Sequence, residues 1–269
     1  MHHDLGVIHG PIMLFGGPYS NRQATEALLS AAKAIPAARL ICTGDVVAYG
    51  GAPSETVDLV CQSGAEVVAG NCELQLAADA ETCGCGFEAG TPCDLLSAGW
   101  YAHARARITD AHRDWMGTCP ETVSFRHCGR RYGVIHGGVT DVARFLWPVS
   151  PDSEFEQEWQ ALEARIGAVD AVIAGHSGLP FVKELRPGRW INAGVIGLPP
   201  HDGKPKTRYA VLTNGDVRIH DLVYDTEAAR AEMVAAGLTQ GYHDSLLTGY
   251  WPSEEVLPAA LRSFASASG

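Results

Sequence analysis

The sequence has no long hydrophobic run and no excess of positive charge, and each absence excludes a class of protein. Its longest apolar stretches have the length of single strands, far short of the ~20 residues that cross a bilayer. No basic segment followed by an apolar stretch begins the chain, so we expect no secretory signal and a cytoplasmic protein without a membrane partner. With 20 Lys and Arg against 31 Asp and Glu, the net charge of -11 argues against general nucleic-acid binding.

The loop after the first predicted strand lacks every side chain that is typical of a metal site. This stretch, "LFGGPYSN" from Leu14 to Asn21, offers two glycines, a proline and a tyrosine. In α/β proteins the active-site residues usually lie in the loops that connect the carboxyl end of a strand to the next helix. The lack of metal-binding side chains in this loop needs an explanation, because Asp, Asn and His residues follow several later strands.

The composition is that of a folded protein, with 46% hydrophobic and 19% charged residues in a chain of 269. Strand-like and helix-like segments alternate, which predicts a layered α/β fold. From about Asp225 onward the pattern becomes mostly helical. The predicted strands include "PIMLFGG", "ARLICTGDVV", "AEVVAGNCE", "TVSFRHCGRRYGVIHGG", "AVIAGHSG" and "TRYAVLTNGDVRIHDLVY", and the predicted helices include "NRQATEALLSAAKAI", "SETVDLVCQSG" and "EFEQEWQALEARI".

Four short polar phrases recur at the ends of predicted strands. They are "GD" with Asp45, "GN" with Asn71, "HGG" with His136 and "GH" with His176. Because the carboxyl ends of strands gather on one side of a layered α/β fold, these side chains can converge. Their mixed oxygen and nitrogen ligands suit Mn, Fe or Zn. The sequence therefore predicts a metal site at this edge.

These phrases resemble, in the same order, the motifs of the calcineurin-like metallophosphoesterases, in particular their small prokaryotic phosphodiesterase branch. "GDVVAYGGAPSETVDLV" is similar to the family's second motif and the helix after it, and "INAGVIGLPPHDGKPKTRYAVL" is similar to its closing stretch. The resemblance implies a metallophosphoesterase-like β-sandwich flanked by helices over residues 1–225, with an irregular or helical insert at 83–120. A helical C-terminal extension is expected at 226–269.

The resemblance also implies how the metal ligands divide between two ions. In the family both ions share a bridging Asp, which corresponds to Asp45 here. The second ion is held in addition by the residues that match Asn71, His136 and His176, all of which are present.

The neighbouring ion of the family has lost its ligands in this chain. That ion takes Asp and His from the opening motif and the last His of Gly-His-x-His. Aligned through Asn21, these places hold Gly17, Tyr19 and Gly178. We therefore expect a single divalent ion, Mn, Fe, Zn or Ni, at an intact site beside a degenerate one.

Two residues match the family's catalytic positions. Cys72 stands where the family usually has a His that protonates the leaving group or steadies the phosphate, and a thiol could donate a proton more weakly. Glu73 matches the acidic residue that orients this group. The alternatives are a small buried thiol at Cys72 and a helix N-terminal charge at Glu73.

The eight cysteines allow a further hypothesis. Cys42, Cys61, Cys119 and Cys128 are expected to be reduced thiols. In "TCGCGFEAGTPC", Cys83, Cys85 and Cys93 follow soon after Cys72 and could hold a second metal, zinc or iron. The spacing equally allows loop thiols or a redox-sensitive pair.

The glycine loop has a chemistry of its own, since backbone N–H groups at the start of a helix attract anions. A phosphate or carboxylate could meet the loop residues or a nearby arginine. The alternatives are a tight turn capped by Ser20 or Asn21, and ordinary ion pairs for the arginine. The candidate anion- or substrate-binding residues are Gly16, Gly17, Tyr19, Ser20, Asn21 and Arg208.

Three functions remain open at this point. The first is a metal-dependent phosphomonoesterase or phosphodiesterase that acts on a small phosphorylated substrate. The second is a non-hydrolytic relative that binds a ligand or a protein through the same cleft. The third is an iron-dependent reaction that uses the cysteine loop. The C-terminal extension could cover the cleft, support a homo-oligomer or pack on the core.

Overall fold

The computed structural model describes residues 1–88 and 90–263, so that residue 89 of the predicted insert and residues 264–269 of the predicted extension lie outside it. The strands are β1 (His2–Val7), β2 (Ile12–Phe15), β3 (Arg39–Cys42), β4 (Glu66–Val67), β5 (Thr122–His127), β6 (Arg130–Val134), β7 (Ala171–Ala174), β8 (Phe181–Glu184), β9 (Arg189–Asn192), β10 (Thr207–Thr213) and β11 (Asp216–Leu222). The helices of the described residues are α1 (Arg22–Lys33), α2 (Pro53–Ser63), α3 (Asn71–Ala77), α4 (Pro92–Arg105), α5 (Asp110–Thr118), α6 (Asp152–Ile166), α7 (Thr226–Ala235) and α8 (Tyr242–Thr248), with a 3₁₀ turn at Ala259–Leu261.

The strands form two sheets. One has the order β1-β5-β6-β7-β9-β8 and the other β11-β10-β2-β3-β4. Strands β2, β3 and β4 run parallel, as do β6, β7 and β9. Their carboxyl ends therefore gather at one edge of the sandwich. A parallel bridge between Gly16 and Val195 joins the chain beyond β2 to the chain beyond β9 at that edge.

Alternation along the strands explains why two sheets pack face to face. In β2, Ile12 and Leu14 point into the core between the sheets, whereas Met13 and Phe15 face the helices. The opposite sheet supplies Phe125 and other buried side chains to the same core. Its outer face is covered by α6, through Phe155 and its neighbours. The predicted sandwich flanked by helices is confirmed.

The structure adds to and corrects the predicted elements at three places. β1 was not predicted, and it pairs in parallel with β5 through the segment that contains His2 and His3. The stretch 83–120 contains the two helices α4 and α5 after an irregular start. Within the described part of the C-terminal extension, residues 226–263, the last α-helix ends at Thr248 and a 3₁₀ turn follows. Gly249 ends α8 because it adopts a left-handed conformation with φ 76°.

Among the described residues, no helix combines the length and the apolar character that crossing a membrane would require.

The core between the sheets gives a first prediction. Phe125 is fully buried and stacks on Tyr132 with ring centroids 5.0 Å apart. Phe125→Ala should lower the free energy of unfolding by about 3–5 kcal/mol, because it leaves a cavity between the sheets. Val182→Ala, in β8 and 40% exposed, should cost less than about 1 kcal/mol. Urea unfolding of both variants measures the difference, and equal losses would contradict this description of the core.

Candidate metal centre and its pocket

The four predicted ligands come together at the carboxyl edge of the sheets. Asp45 follows β3, Asn71 begins α3 just after β4, His136 follows β6 and His176 follows β7. Asp45 and His176 adopt left-handed backbone conformations, with φ of 56° and 58°. Such strain in residues other than glycine is typical of functional sites, where the surroundings hold the backbone in place.

Three of the four measured separations between candidate ligand atoms match the spacing around one cation, and the fourth is wider. His136 Nε2 is 3.0 Å from His176 Nδ1, 3.2 Å from Asn71 Oδ1 and 3.3 Å from Asp45 Oδ2. Asp45 Oδ2 is 3.9 Å from His176 Nδ1. Metal bonds of about 2.1 Å place neighbouring ligand atoms about 3.0–3.4 Å apart in octahedral or tetrahedral sites. Within the described part of the chain, Asp45, His136 and His176 form the only such cluster of His, Cys, Asp or Glu.

Hydrogen bonds outside the cluster orient these atoms toward its centre. His136 Nδ1 lies 2.5 Å from the carbonyl oxygen of Thr43, so this nitrogen donates and Nε2 presents a lone pair. Asn71 Nδ2 donates to the carbonyl oxygen of Cys83 at 2.9 Å, which leaves Oδ1 facing His136. His176 Nε2 is buried and has no hydrogen-bond partner among the described residues. The donor set therefore fits a divalent ion, held in place by the outer partners that metal histidines usually have.

The titration behaviour agrees with a cationic centre. Burial acts to raise the pKa of the Asp45 carboxyl, but the charge of His136 and hydrogen bonds from both histidines lower it below its usual value. Burial acts to lower the pKa of His136, and attraction to Asp45 raises it overall. Burial lowers the pKa of His176. A positive charge beside Asp45 therefore stabilises its carboxylate, and a protonated histidine or a bound cation can supply that charge.

Glu73, predicted as a catalytic residue, has a different position. It is fully buried, and its two carboxylate oxygens accept backbone N–H groups of Asp45, Val46 and Gly70, each at 2.8 Å. Burial raises its pKa, together with repulsion from Asp45, while the backbone donors lower it. With its oxygens occupied, Glu73 ties the loop of Asp45 to the loop of Asn71. Its role in orienting the catalytic group stays a prediction.

Cys72 lies in the pocket beside the candidate ligands. Its backbone N–H donates to Asp45 Oδ1 at 3.3 Å, and the residue lines the pocket together with Asp45 and His176. Burial raises the pKa of the thiol well above its usual value, as do the charges of Asp45 and Glu73. Cys72 therefore keeps its proton at neutral pH, as a proton donor must.

An aromatic ring packs closely against Gly17. Gly17 has φ 42°, and a Cβ there would lie 2.6 Å from Tyr19 Cζ and 2.6 Å from Val195 Cγ1. Tyr19 is 5% exposed, and burial raises the pKa of its hydroxyl well above the usual value. The phenol thus remains neutral and lies where an Asp side chain at position 17 would need to be.

Gly178 lies in ordinary contact with a ring of the C-terminal extension. Gly178 has φ 75°, and a Cβ on this residue would lie 3.5 Å from Cζ2 of Trp251. Trp251 belongs to the C-terminal extension, which also brings Tyr242, Ser253 and Val256 to the pocket. The extension therefore covers the cleft, one of the three roles left open by the sequence.

The backbone donors of the glycine loop, which is the predicted anion site, already have partners within the protein. The N–H groups of Gly16, Gly17, Tyr19 and Ser20 donate to carbonyl oxygens at 2.9–3.2 Å. Asn21 caps α1 through Oδ1, which accepts from the N–H of Ala24 at 3.0 Å. The alternative of a tight, capped turn is the one that the structure contains, although Tyr19 does line the pocket.

The prediction that Arg208 meets the substrate is also corrected. Its guanidinium pairs with Asp202 at 2.6 Å and with Asp221 at 3.2 Å. The pocket lining does not include it. Arg208 is thus held by ordinary ion pairs.

The cysteine loop does not form the predicted second metal site. Cys83 and Cys85 are joined by a disulfide, which leaves neither as a thiolate ligand, and Cys93 is a separate buried thiol. This corresponds to the alternative of a redox-sensitive pair. Cys42, Cys61, Cys119 and Cys128 are free, as expected. The iron-dependent reaction loses the cysteine cluster on which it depended.

The aromatic wall of the pocket was largely missed by sequence reasoning. It is built by side chains that are far apart in the chain, so no local pattern indicated it. Aromatic residues make up only 8% of the sequence and are spread along it, so their clustering is apparent only in the folded chain. The aromatic lining residues are Tyr19, Tyr49, Phe87, Trp100, Phe145, Tyr242 and Trp251.

Comparison of the sequence with known proteins identifies a family. The sequence profile described as the calcineurin-like phosphoesterase superfamily domain matches residues 7–216. An uncharacterised protein of Methanocaldococcus jannaschii is 22% identical over 90% of this chain and 100% of its own length.

Two solved structures resemble the fold. A metallophosphoesterase from Sphaerobacter thermophilus has a TM-score of 0.69 at 19% identity, covering 90% of this chain and 100% of that one. A hypothetical protein from Pyrococcus horikoshii has a TM-score of 0.72 at 15% identity, covering 90% and 99%. At such low identity these likenesses show the fold alone.

The close packing around Gly17 gives a second prediction. Gly17→Ala should lower the free energy of unfolding by more than about 2 kcal/mol, since it adds a clash to the strain of a positive φ. Gly64→Ala is a matched control, because Gly64 has φ 69° and no atom within 4 Å of its Cβ position. It should cost only the strain, about 1 kcal/mol. Chemical unfolding compares the two, and equal losses would show that Tyr19 and Val195 do not fill this space.

The Glu73 carboxylate gives a third prediction. Glu73→Gln replaces an acceptor oxygen with an NH₂ group that faces backbone N–H donors, so the variant should lose about 2–4 kcal/mol of stability. Glu163→Gln, a change of the same chemistry on the partly buried end of α6, should stay within about 1 kcal/mol. Thermal or urea unfolding measures both variants. Unchanged stability of Glu73→Gln would remove the role given to this carboxylate.

Proposed function

The chain belongs to the calcineurin-like phosphoesterase superfamily, and we propose that it is a metal-dependent phosphoesterase that works with one divalent ion. Asp45, Asn71, His136 and His176 would hold this ion. The observation that carries the proposal is the close approach of the four donor atoms. The donor atoms of the other three residues lie 3.0–3.3 Å from His136 Nε2, and the hydrogen bond from His136 Nδ1 to Thr43 leaves Nε2 free to bind a cation. Mn, Fe, Zn and Ni all suit a donor set of one carboxylate, one amide and two imidazoles.

The residues of the chain divide the work of phosphate-ester cleavage among them. When bound, a divalent ion supplies a Lewis acid for a phosphoryl oxygen and makes water more acidic. Asp45 brings the negative charge that holds the cation. The thiol of Cys72, protonated and in the same pocket, holds a proton that can pass to the departing oxygen of the ester. The rings beside the site restrict the access of bulk water.

The second candidate, a ligand-binding protein without hydrolytic activity, is favoured by a specific observation. The Tyr19 ring and Val195 fill the space beside Gly17, and Trp251 packs against Gly178, at two of the positions where the resemblance places ligands of a second ion. With that ion absent, the nucleophile has to be positioned by protein groups alone. A protein that retains the cleft and one ion could therefore bind a phosphorylated ligand and release it unchanged.

A fourth prediction tests the proposed function. Purified protein with added Mn²⁺, Ni²⁺, Zn²⁺ or Fe²⁺ should hydrolyse bis(4-nitrophenyl) phosphate or 4-nitrophenyl phosphate. Asp45→Asn should reduce the rate by at least about 100-fold and should also reduce the metal that remains bound after dialysis, since it removes the charge of the site. Release of 4-nitrophenol and elemental analysis measure the two effects.

Asp114→Asn, an exposed position on α5, is the control and should behave as the parent protein. Absence of turnover with every metal, combined with binding of the intact ester, would favour the second candidate. Absence of bound metal in the parent protein would overturn both.

A further inference from the structure

The disulfide between Cys83 and Cys85 separates the candidate metal site from a second cavity. Cys85 lines the pocket that contains Asp45, and both cysteines line a cavity of about 290 Å³ on the other side of their loop. Exposed residues such as Glu81 and Leu95 also line this cavity, which therefore opens to solvent. A small molecule can thus approach the disulfide without entering the pocket of the metal site.

The disulfide loop contacts Asn71, one of the candidate metal ligands. Asn71 Nδ2 donates to the carbonyl oxygen of Cys83 at 2.9 Å, and it lies 3.4 Å from Cys85 Sγ and 3.5 Å from Cys72 Sγ. Asn71 Oδ1 is therefore the atom that faces His136 Nε2, at 3.2 Å. Only the oxygen end of an amide can bind a cation. The acceptors beside Nδ2 thus determine which end of Asn71 reaches the ion site.

The covalent ring of Cys83, Gly84 and Cys85 holds the carbonyl group of Cys83 in place, because that carbonyl belongs to a peptide group within the ring. Gly84 has φ 60°, and a Cβ there would lie 2.8 Å from Nε2 of Gln75, one turn after Asn71 on α3. Once the disulfide is broken, a flexible glycine joins the two cysteines, and the carbonyl can rotate away from Asn71.

A purely stabilising role does not account for this disulfide. The two cysteines are two positions apart in the sequence. A disulfide stabilises a fold less when the loop that it closes is shorter. Its effect on the free energy of unfolding is therefore small, and its main consequence is local, at the carbonyl group that orients Asn71.

We propose that the Cys83–Cys85 pair is a site of reversible reduction by small thiols, and that only the oxidised pair holds Asn71 Oδ1 toward the ion. Reduction then weakens the binding of the ion without removing a ligand from the chain. The proposal rests on the metal site of the proposed function and adds a means of regulating it.

The reduction is an ordinary thiol–disulfide exchange. The thiolate of a small thiol attacks the sulfur of Cys83, which lines the outer cavity and not the pocket. The Cys83–Cys85 bond breaks, a mixed disulfide forms on Cys83, and the electron pair leaves with Cys85 Sγ, which takes up a proton. A second thiol attacks the small-molecule sulfur of the mixed disulfide and releases Cys83 as a thiol. Two thiols become one small disulfide, and their two electrons and two protons remain on the cysteines; a small disulfide reverses the reaction.

Thiol counting and metal binding test the proposal together. The oxidised protein should show six free thiols in denaturant, and the protein reduced with dithiothreitol should show all eight. After anaerobic removal of the reductant, calorimetry should show that the reduced form binds Mn²⁺ about 10-fold more weakly, the usual effect of losing a group that orients a ligand. Mn²⁺ is the probe because it prefers oxygen and nitrogen ligands to thiols.

Two cysteine variants locate the effect. The double variant Cys83→Ser, Cys85→Ser should bind Mn²⁺ as weakly as the reduced parent protein and should not respond to dithiothreitol. Cys61→Ser removes an exposed free thiol on α2 and should keep the 10-fold difference between the two forms. Circular dichroism checks that both variants are folded.

Asn71→Asp tests whether the effect passes through the orientation of the amide. Either oxygen of a carboxylate can bind a cation, so rotation of the Asp side chain still leaves a ligand in place. The ratio of the Mn²⁺ affinities of the oxidised and reduced forms should therefore fall to less than about 2 in this variant. A ratio that stays near 10 would show that the disulfide acts through some other group.

The outcomes separate this proposal from the proposed function. Equal Mn²⁺ affinity of the two forms, when the thiol count shows complete reduction, would overturn the proposal and leave the phosphoesterase function intact. Eight free thiols after treatment with oxidised glutathione would also overturn it, because the pair then does not form. Redox-dependent Mn²⁺ binding by a protein that hydrolyses no ester would support it and contradict the hydrolytic function. Absence of Mn²⁺ binding in both forms would overturn both.

Discussion

The carboxylate of Glu73 is the contact on which the metal centre depends, although it touches neither ion nor substrate. By accepting the N–H groups of Asp45, Val46 and Gly70 it fixes two loops from neighbouring strands against each other. The left-handed backbone of Asp45 persists because these bonds hold it. A buried carboxylate is stable only when its oxygens are satisfied, and here the backbone donors supply that compensation. The ligand geometry is thus a consequence of one buried anion.

Gly17 and Tyr19 are coupled by packing. A Cβ at position 17 would lie 2.6 Å from Tyr19 Cζ, so a side chain at 17 and the present position of the Tyr19 ring exclude each other. The coupling at Gly178 is looser, because a Cβ there would meet Trp251 at an ordinary contact distance of 3.5 Å and only the φ of 75° favours glycine. Trp251 of the C-terminal extension therefore packs beside Gly178 without requiring a glycine there.

Local patterns were enough to predict the sandwich and the four converging ligands, because strand periodicity and strand-end position determine both. Three features depended on contacts that no local pattern carries. The donors of the glycine loop are consumed by carbonyl groups of distant segments such as Gly44 and Gly194. Arg208 is drawn to Asp202 and Asp221. The aromatic wall is assembled from loops, α4 and the extension, and its members look like ordinary core residues in the sequence.

The apolar lining of the pocket makes the electrostatics of the candidate site steeper. Coulomb energy varies inversely with the dielectric constant, so buried rings beside Asp45 and His176 strengthen the interactions between charges there. The same rings raise the cost of leaving a charge without a partner, and no Lys or Arg side chain of the described lining offsets that cost. The Asp45 carboxylate is therefore stable only with a positive charge beside it, from a protonated histidine or from a bound cation.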